Sequence, residues 1–173
     1  SYEDGENSII SFPEFLLLVL DVCTGGEQPA SHYQPDKLIE KFDALKTYFT
    51  AGEFYEKMLY YRLLLDYYTI RRDIKDGQGN YSLILKGPKD DSDKLKQYQS
   101  MLYVSTEAFY NWLKPYLRKL EQDELHSCAE MLAFLKKEDN ERHSILPARK
   151  DLSYKASGNI RYWFWRLDYY LWE

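Results

Sequence analysis

Hydrophobic and polar positions along the chain fall mostly into helical rhythm. Ser11-Phe12-Pro13-Glu14 opens a first helix: serine is a good N-cap, proline is tolerated in the first turn, and glutamate three residues after Ser11 completes a capping box. The run Phe15-Leu16-Leu17-Leu18-Val19-Leu20 is apolar on every side, which predicts a buried helix, and Thr24-Gly25-Gly26 is a natural stop. A second, amphipathic helix is expected over 36–49, where Leu38, Phe42, Leu45 and Phe49 recur between charged residues. Thr50-Ala51-Gly52-Glu53 repeats the capping box and starts a third helix over 53–68. Phe54, Met58, Tyr61, Leu65 and Tyr68 form one apolar stripe of it, and Tyr55, Leu59, Leu63, Leu64 and Tyr67 cover other faces. That distribution places it at the centre of the fold. Arg62 and Asp66, one turn apart, are expected to pair at a partly exposed edge.

The rhythm then changes. Residues 69–74 and 81–85 are β-capable and flank Asp76-Gly77-Gln78-Gly79-Asn80, a pattern that predicts a small hairpin lying against helices. Gly87-Pro88 and the acidic stretch after it mark a loop and a candidate division into subdomains 1–87 and 88–173. Helix is expected again over 93–103. Ser105 is read as the cap of a further helix carrying Phe109, Trp112 and Leu113, which Pro115 should kink or end at Lys114. Another helix is expected over 123–137, a polar irregular stretch over 140–157, and a last helix from about Ser157-Gly158-Asn159 onward. The sum is an all-α (mainly α) domain, an irregular bundle of about seven helices with one small β-hairpin.

Composition narrows the classes of function. Hydrophobic residues make up 45% of the chain and charged residues 29%, so it can bury a core and stay soluble. The formal net charge of −5 is unlike that of a protein whose whole surface grips phosphates. Residues 1–34 contain six acidic side chains, Glu3, Asp4, Glu6, Glu14, Asp21 and Glu27, and no Lys or Arg, whereas the stretch 136–173 is mildly basic. Cys23 and Cys128 are far apart and outside any CxxC pattern, which reads as two buried thiols in a reducing cytoplasm. The apolar run at 15–22, broken by Asp21, is too short to span a bilayer and lacks a basic leader, so no membrane role is expected.

Candidate chemistry is sparse. His32 lies in a loop, and His143 in a charged stretch with no local nucleophile or orienting partner. His126 and Glu130 share a helical spacing, but an ordinary helix position outweighs a metal site there. The glycines of Asp76-Gly77-Gln78-Gly79-Asn80 lack the Lys-Ser/Thr of a phosphate loop and read as a turn. No catalytic residue, cofactor or metal is assigned. The terminal helix is the most conspicuous feature: between Tyr162 and Trp172, seven of eleven residues are aromatic. Ile160, Trp163, Phe164, Leu167 and Leu171 define a stripe expected to face the core. Tyr162, Trp165, Tyr169 and Trp172 lie off that stripe, which makes them candidates for contact with another domain or with a second copy of the chain. Read as a nucleic-acid surface instead, the region offers Arg149, Lys150, Lys155, Arg161 and Arg166 as a basic patch beside stacking aromatics.

Three segments carry a family resemblance. Ile10-Ser11-Phe12-Pro13-Glu14-Phe15-Leu16-Leu17-Leu18, Tyr60-Tyr61-Arg62-Leu63-Leu64-Leu65-Asp66-Tyr67-Tyr68 and Arg161-Tyr162-Trp163-Phe164-Trp165-Arg166-Leu167-Asp168-Tyr169-Tyr170-Leu171-Trp172-Glu173 resemble parts of GmrSD-type modification-dependent restriction endonucleases. Such bacterial defence proteins join an N-terminal ParB/sulfiredoxin-like nucleotidase domain to a C-terminal HNH nuclease through a helical region. The resemblance is to that helical middle, and its segments are apolar and aromatic rather than catalytic. Asp76-Gly77-Gln78 repeats only the first letters of the nucleotidase motif, lacks its Gln-Arg continuation and stands in the wrong place. The Glu-His and Pro-Gln elements of the nuclease are absent from this sequence, so no family catalytic residue carries over.

The resemblance implies a non-catalytic, cytoplasmic connector whose partners are the flanking domains of a longer parent chain. DNA contact is then a property of the parent. A nucleic-acid-binding module and a free-standing protein-interaction domain, homo-oligomeric through the aromatic helix, are the rival expectations.

Overall fold

Seven helices and one antiparallel two-stranded hairpin make up the described residues, a mainly α architecture as the hydrophobic rhythm predicts. The structure, a computed structural model, describes residues 8–74, 80–144 and 160–173. In chain order the elements are α1 (Phe12–Cys23), α2 (Leu38–Leu45), α3 (Ala51–Tyr68), β1 (Ile70–Ile74), β2 (Tyr81–Leu85), α4 (Ser92–Val104), α5 (Phe109–Glu121), α6 (Cys128–Arg142) and α7 (Ile160–Trp172). They fall into two compact units, Ser1–Ile84 and Leu85–Glu173. No described helix is long and apolar enough to cross a membrane. The turn glycines Gly77 and Gly79, most of the irregular stretch after α6 and the residues just before α7 lie outside the described residues.

In the first unit α1 is the buried element. Ser11 Oγ accepts from the Glu14 N–H, and the Glu14 carboxylate accepts from the Ser11 N–H at 2.7 Å, closing the capping box. Phe15 and every residue from Leu17 to Asp21 are buried, against α2 on one side and α3 on the other. Asp21, the one charge in the apolar run, is fully buried too. Its carboxylate accepts from the Gln28 N–H at 2.9 Å and from the Tyr33 hydroxyl, so it gathers the loop that follows the helix. Gly25 and Gly26 take positive φ, and the Gly26 N–H returns to the Asp21 carbonyl at 2.8 Å. His32, expected in an open loop, instead sits buried in a short 3-10 turn with Nε2 2.8 Å from the Leu17 carbonyl oxygen. The helix expected over 36–49 is shorter: a 3-10 turn at Pro35–Lys37 leads into α2, and the chain leaves the helix after Leu45. Phe42, Phe49 and Phe54 then stack in a triangle, with centroids 5.2–5.8 Å apart, joining α2 to the start of α3.

The expectation that α3 forms the centre of the fold does not hold. Its capping box and its Arg62–Asp66 pair, at 2.7 Å, are as read. Only Tyr61, Leu64 and Leu65 are buried, however, while Tyr55, Leu59, Tyr60, Leu63 and Tyr67 are exposed. The unit packs α1 against one face of α3 and leaves its other apolar faces to solvent. After α3 the hairpin forms where predicted, with Arg72 reaching across to lie 5.9 Å from the Tyr81 ring centre.

In the second unit α6 packs against both α4 and α5, and α7 packs against α4. Leu95, Tyr98, Leu102, Trp112, Leu113, Tyr116, Leu117, Met131 and Leu135 build the core. Ser105 does not cap α5; it closes α4, its hydroxyl donating to the Leu102 carbonyl at 3.0 Å. Pro115 does not stop α5, which runs through it from Phe109 to Glu121 with Leu117 and Leu120 in the continuation, as expected. Proline lacks the N–H that would serve the carbonyl four residues back, that of Asn111. Arg142 supplies the missing donor: its Nη1 donates to the Asn111 carbonyl oxygen at 2.6 Å. The last residue of α6 thus mends the break in α5.

Two substitutions test that repair. Arg142→Ala should destabilise the protein by about 0.5–1.5 kcal/mol, the usual net worth of one hydrogen bond, here a part-buried one. Pro115→Ala restores the backbone donor, so in that background the loss on removing Arg142 should shrink by at least about 0.5 kcal/mol in a urea-unfolding double-mutant cycle. Strictly additive losses would show that the two groups do not serve the same carbonyl.

Candidate functional site

Helix α7 is apolar on more than one side, so periodicity alone does not say which side faces inward. The structure changes the expected orientation in part: of the stripe, Ile160 and Trp163 are half-buried, but the rest is exposed. The stripe of Phe164, Leu167 and Leu171 points outward, with Leu167 53% and Leu171 77% exposed. Tyr162 and Tyr169 are buried instead, and Arg166 is half-buried on the same side. Tyr162, Arg166, Tyr169 and Glu173 recur at helical spacing, and each ends in a polar group.

What draws this polar-tipped face inward is Asp139, a fully buried carboxylate on α6. A charge taken out of water needs donors around it. Its Oδ2 accepts from the hydroxyls of Tyr98 on α4 and Tyr162 on α7, both at 2.7 Å. Arg166 donates to the Tyr162 hydroxyl at 2.7 Å, lies 3.8 Å from Asp139 Oδ2 and donates to Asn140 Oδ1 as well. His143 Nδ1 lies 3.2 Å from Asp139 Oδ1, and Nε2 lies 3.6 Å from the Glu107 carboxylate. Its imidazole stacks on the Tyr162 ring at 4.0 Å. Arg142, which mends α5, is 3.9 Å from both Glu107 and Asp139. A leucine at 162 or 166 could satisfy none of these groups, which is why the apolar stripe loses the interior.

Further along α7, Lys136 donates to Glu173 at 2.6 Å and lies 5.2 and 5.6 Å from the ring centres of Tyr169 and Tyr170. Partial burial works against its charge, but the Glu173 hydrogen bond and the neighbouring Tyr169 outweigh it, and the net shift in pKa is upward. Tyr169 also meets the Tyr98 ring edge-on at 4.9 Å.

These positions redistribute the candidate residues. Tyr162 and Tyr169, read as contacts for another domain, are interior groups of the second unit, while Trp165 and Trp172 remain exposed. In the basic patch, Arg161 is exposed but Arg166 is committed to Tyr162 and Asn140, so it does not present a free guanidinium to a phosphate. Arg149, Lys150 and Lys155 lie outside the described residues. His143, expected in a solvated loop, caps α6 with its side chain 12% exposed. His126 precedes α6 rather than sharing a face with Glu130, whose carboxylate instead accepts from the backbone N–H groups of His126 and Ser127. Among the described residues no three His, Cys, Asp or Glu side chains are grouped to hold a metal. Cys128 is buried and its thiol is pushed up to about 11, chiefly by burial, whereas Cys23 is only half-buried.

Reading the sequence missed the Asp139 cluster, yet a signal for it exists. Cys128, Met131, Leu135 and Asp139 are the buried residues of α6 and follow one helical stripe, so a carboxylate occupies an apolar position. No family model, no curated protein and no solved structure matches this chain.

The cluster has a measurable signature in alkali. The phenols of Tyr98 and Tyr162 are pushed well above the ordinary value of 10.0, first by burial and then by the nearby Asp139 charge. The folded state therefore holds these protons more tightly than the unfolded chain. Their stabilisation is fully present below pH 10 and is lost as pH rises beyond it. Unfolding free energy from urea titrations should fall above that pH by up to about 1.4 kcal/mol per pH unit for each of the two groups. Tyr162→Phe should remove one share of that slope. An unchanged slope in the variant would mean that the Tyr162 proton is not held by the fold.

Proposed function

We propose that this chain is a non-catalytic helical connector of a GmrSD-like bacterial restriction endonuclease, working in the cytoplasm. It holds a nucleotidase and a nuclease domain in a fixed relation, or passes nucleotide state between them. One observation carries the reading: α7 turns Phe164, Leu167 and Leu171 outward, with Trp165 and Trp172 beside them. A contiguous apolar surface of this kind marks a site of contact with other protein. The family resemblance falls on α1, α3 and α7. All three bear exposed large apolar side chains, Phe12 alone on α1 and several on each of α3 and α7. The resembling residues on α3 and α7 are thus partly ones that the two units themselves do not use.

The interior of the second unit supports a structural role as well. Asp139 Oδ2 accepts from Tyr98 and Tyr162, and Arg166 donates to Tyr162, so α7 is held by its polar face, which leaves the apolar face free to be covered by a neighbouring domain.

Two measurements test the reading. The purified chain should neither hydrolyse nucleoside triphosphates nor cut modified DNA, and robust turnover in either assay would sink it. Leu167→Glu with Leu171→Glu should leave the chain's own stability within about 0.5 kcal/mol per site, as is usual for surface positions. In a GmrSD-like endonuclease that carries this segment, the same pair should uncouple nucleotide from cleavage. Full nucleotide-dependent cleavage by that variant would remove α7 from the coupling route.

A further inference from the structure

An open cleft of about 230 Å³ lies between α4 and α7. Its α7 wall consists of Trp165, Asp168, Tyr169 and Trp172, spaced so that all four share one face of the helix. Met101 and Val104 of α4 stand opposite. Asp168 is exposed and is the one charged residue among the described residues of the lining. The volume is below the roughly 300–1,000 Å³ of ordinary small-molecule sites, and suits the insertion of a single side chain.

The chemistry of that lining selects for positive charge. The faces of indole and phenol rings attract cations, tryptophan most strongly, and a carboxylate among them adds a direct partner. The same helix already holds a cation in this way. Lys136 rests beside the rings of Tyr169 and Tyr170 and is paired with Glu173. Trp165, Asp168 and Trp172 repeat the combination of aromatic and acid where, among the described residues, no cationic side chain lines the cleft.

We propose that the α4–α7 cleft receives an arginine side chain of a protein partner, its guanidinium lying along the indoles and pairing with Asp168. Arginine fits better than lysine because its planar fork both stacks on aromatic rings and engages a carboxylate with two hydrogen bonds. This assignment stands on the cleft alone and does not depend on the connector reading.

The test uses the full chain and follows the indole N–H resonances of Trp165 and Trp172, assigned with single Trp→Phe variants. The capped tripeptide acetyl-Gly-Arg-Gly-amide should give saturable shifts at both indoles that weaken with added salt. Its citrulline counterpart, isosteric but uncharged, should give none. Asp168→Asn should weaken the arginine response about five- to tenfold, the loss expected for one ion pair supported by ring contacts, with thermal unfolding unchanged. Trp172→Leu, which keeps an apolar side chain at the rim, should weaken it to a similar degree. Equal responses to the arginine and citrulline peptides, or an Asp168→Asn variant that binds like the parent, would overturn the assignment. So would a response to tetramethylammonium as strong as that to the arginine peptide, which would make the cleft a site for a free organic cation.

Discussion

A single buried carboxylate sets the arrangement of the second unit. Asp139 sits on the core face of α6 with no exposure to solvent. Leaving such a charge unmet costs several kcal/mol, far more than the gain from burying one further leucine, at about 1.5–3 kcal/mol. The unit therefore brings Tyr98 from α4 and Tyr162 with Arg166 from α7 to that one point. Three helices are oriented by it. The outward turn of the apolar stripe on α7 follows as a by-product, because a helix apolar on several sides yields the interior to whichever face answers the charge.

The first unit obeys the same rule on a smaller scale. Asp21 interrupts an otherwise apolar helix, is fully buried, and is answered by the Tyr33 hydroxyl and the Gln28 N–H. In both units, then, tyrosine does more than fill volume. It combines a large apolar body with a donor at its tip. The abundance of tyrosine, 17 residues in this chain, includes at least three whose hydroxyls meet a buried carboxylate.

Much of the local structure was legible in the sequence. The capping boxes at Ser11 and Thr50, the helix stop at Gly25-Gly26 and the two strands depend on residues close together in the chain, and they appear where those residues stand. What was not legible depends on partners far apart. The facing of α7 turns on a carboxylate 23 residues before Tyr162. The exposure of α3 turns on how little of the first unit is available to cover an all-round apolar helix. Of the candidate site, the aromatic character of α7 could be read directly, but not which rings are interior; Tyr162 and Tyr169 were placed on the wrong side for that reason. Asp139 itself could have been found, since it continues the stripe of Met131 and Leu135.

The donation from Arg142 to the Asn111 carbonyl bears on how the second unit comes apart. Helix α5 contains a proline in its middle and by itself lacks one bond of its hydrogen-bond ladder just there, which α6 replaces. The acceptor that Pro115 leaves open in α5 is thus met through tertiary docking. Loosening α6 removes the donor from α5 and the acceptor Asp139 from α4 and α7 in the same event. Of the four helices of this unit, α6 is therefore the one to which these polar contacts tie the other three.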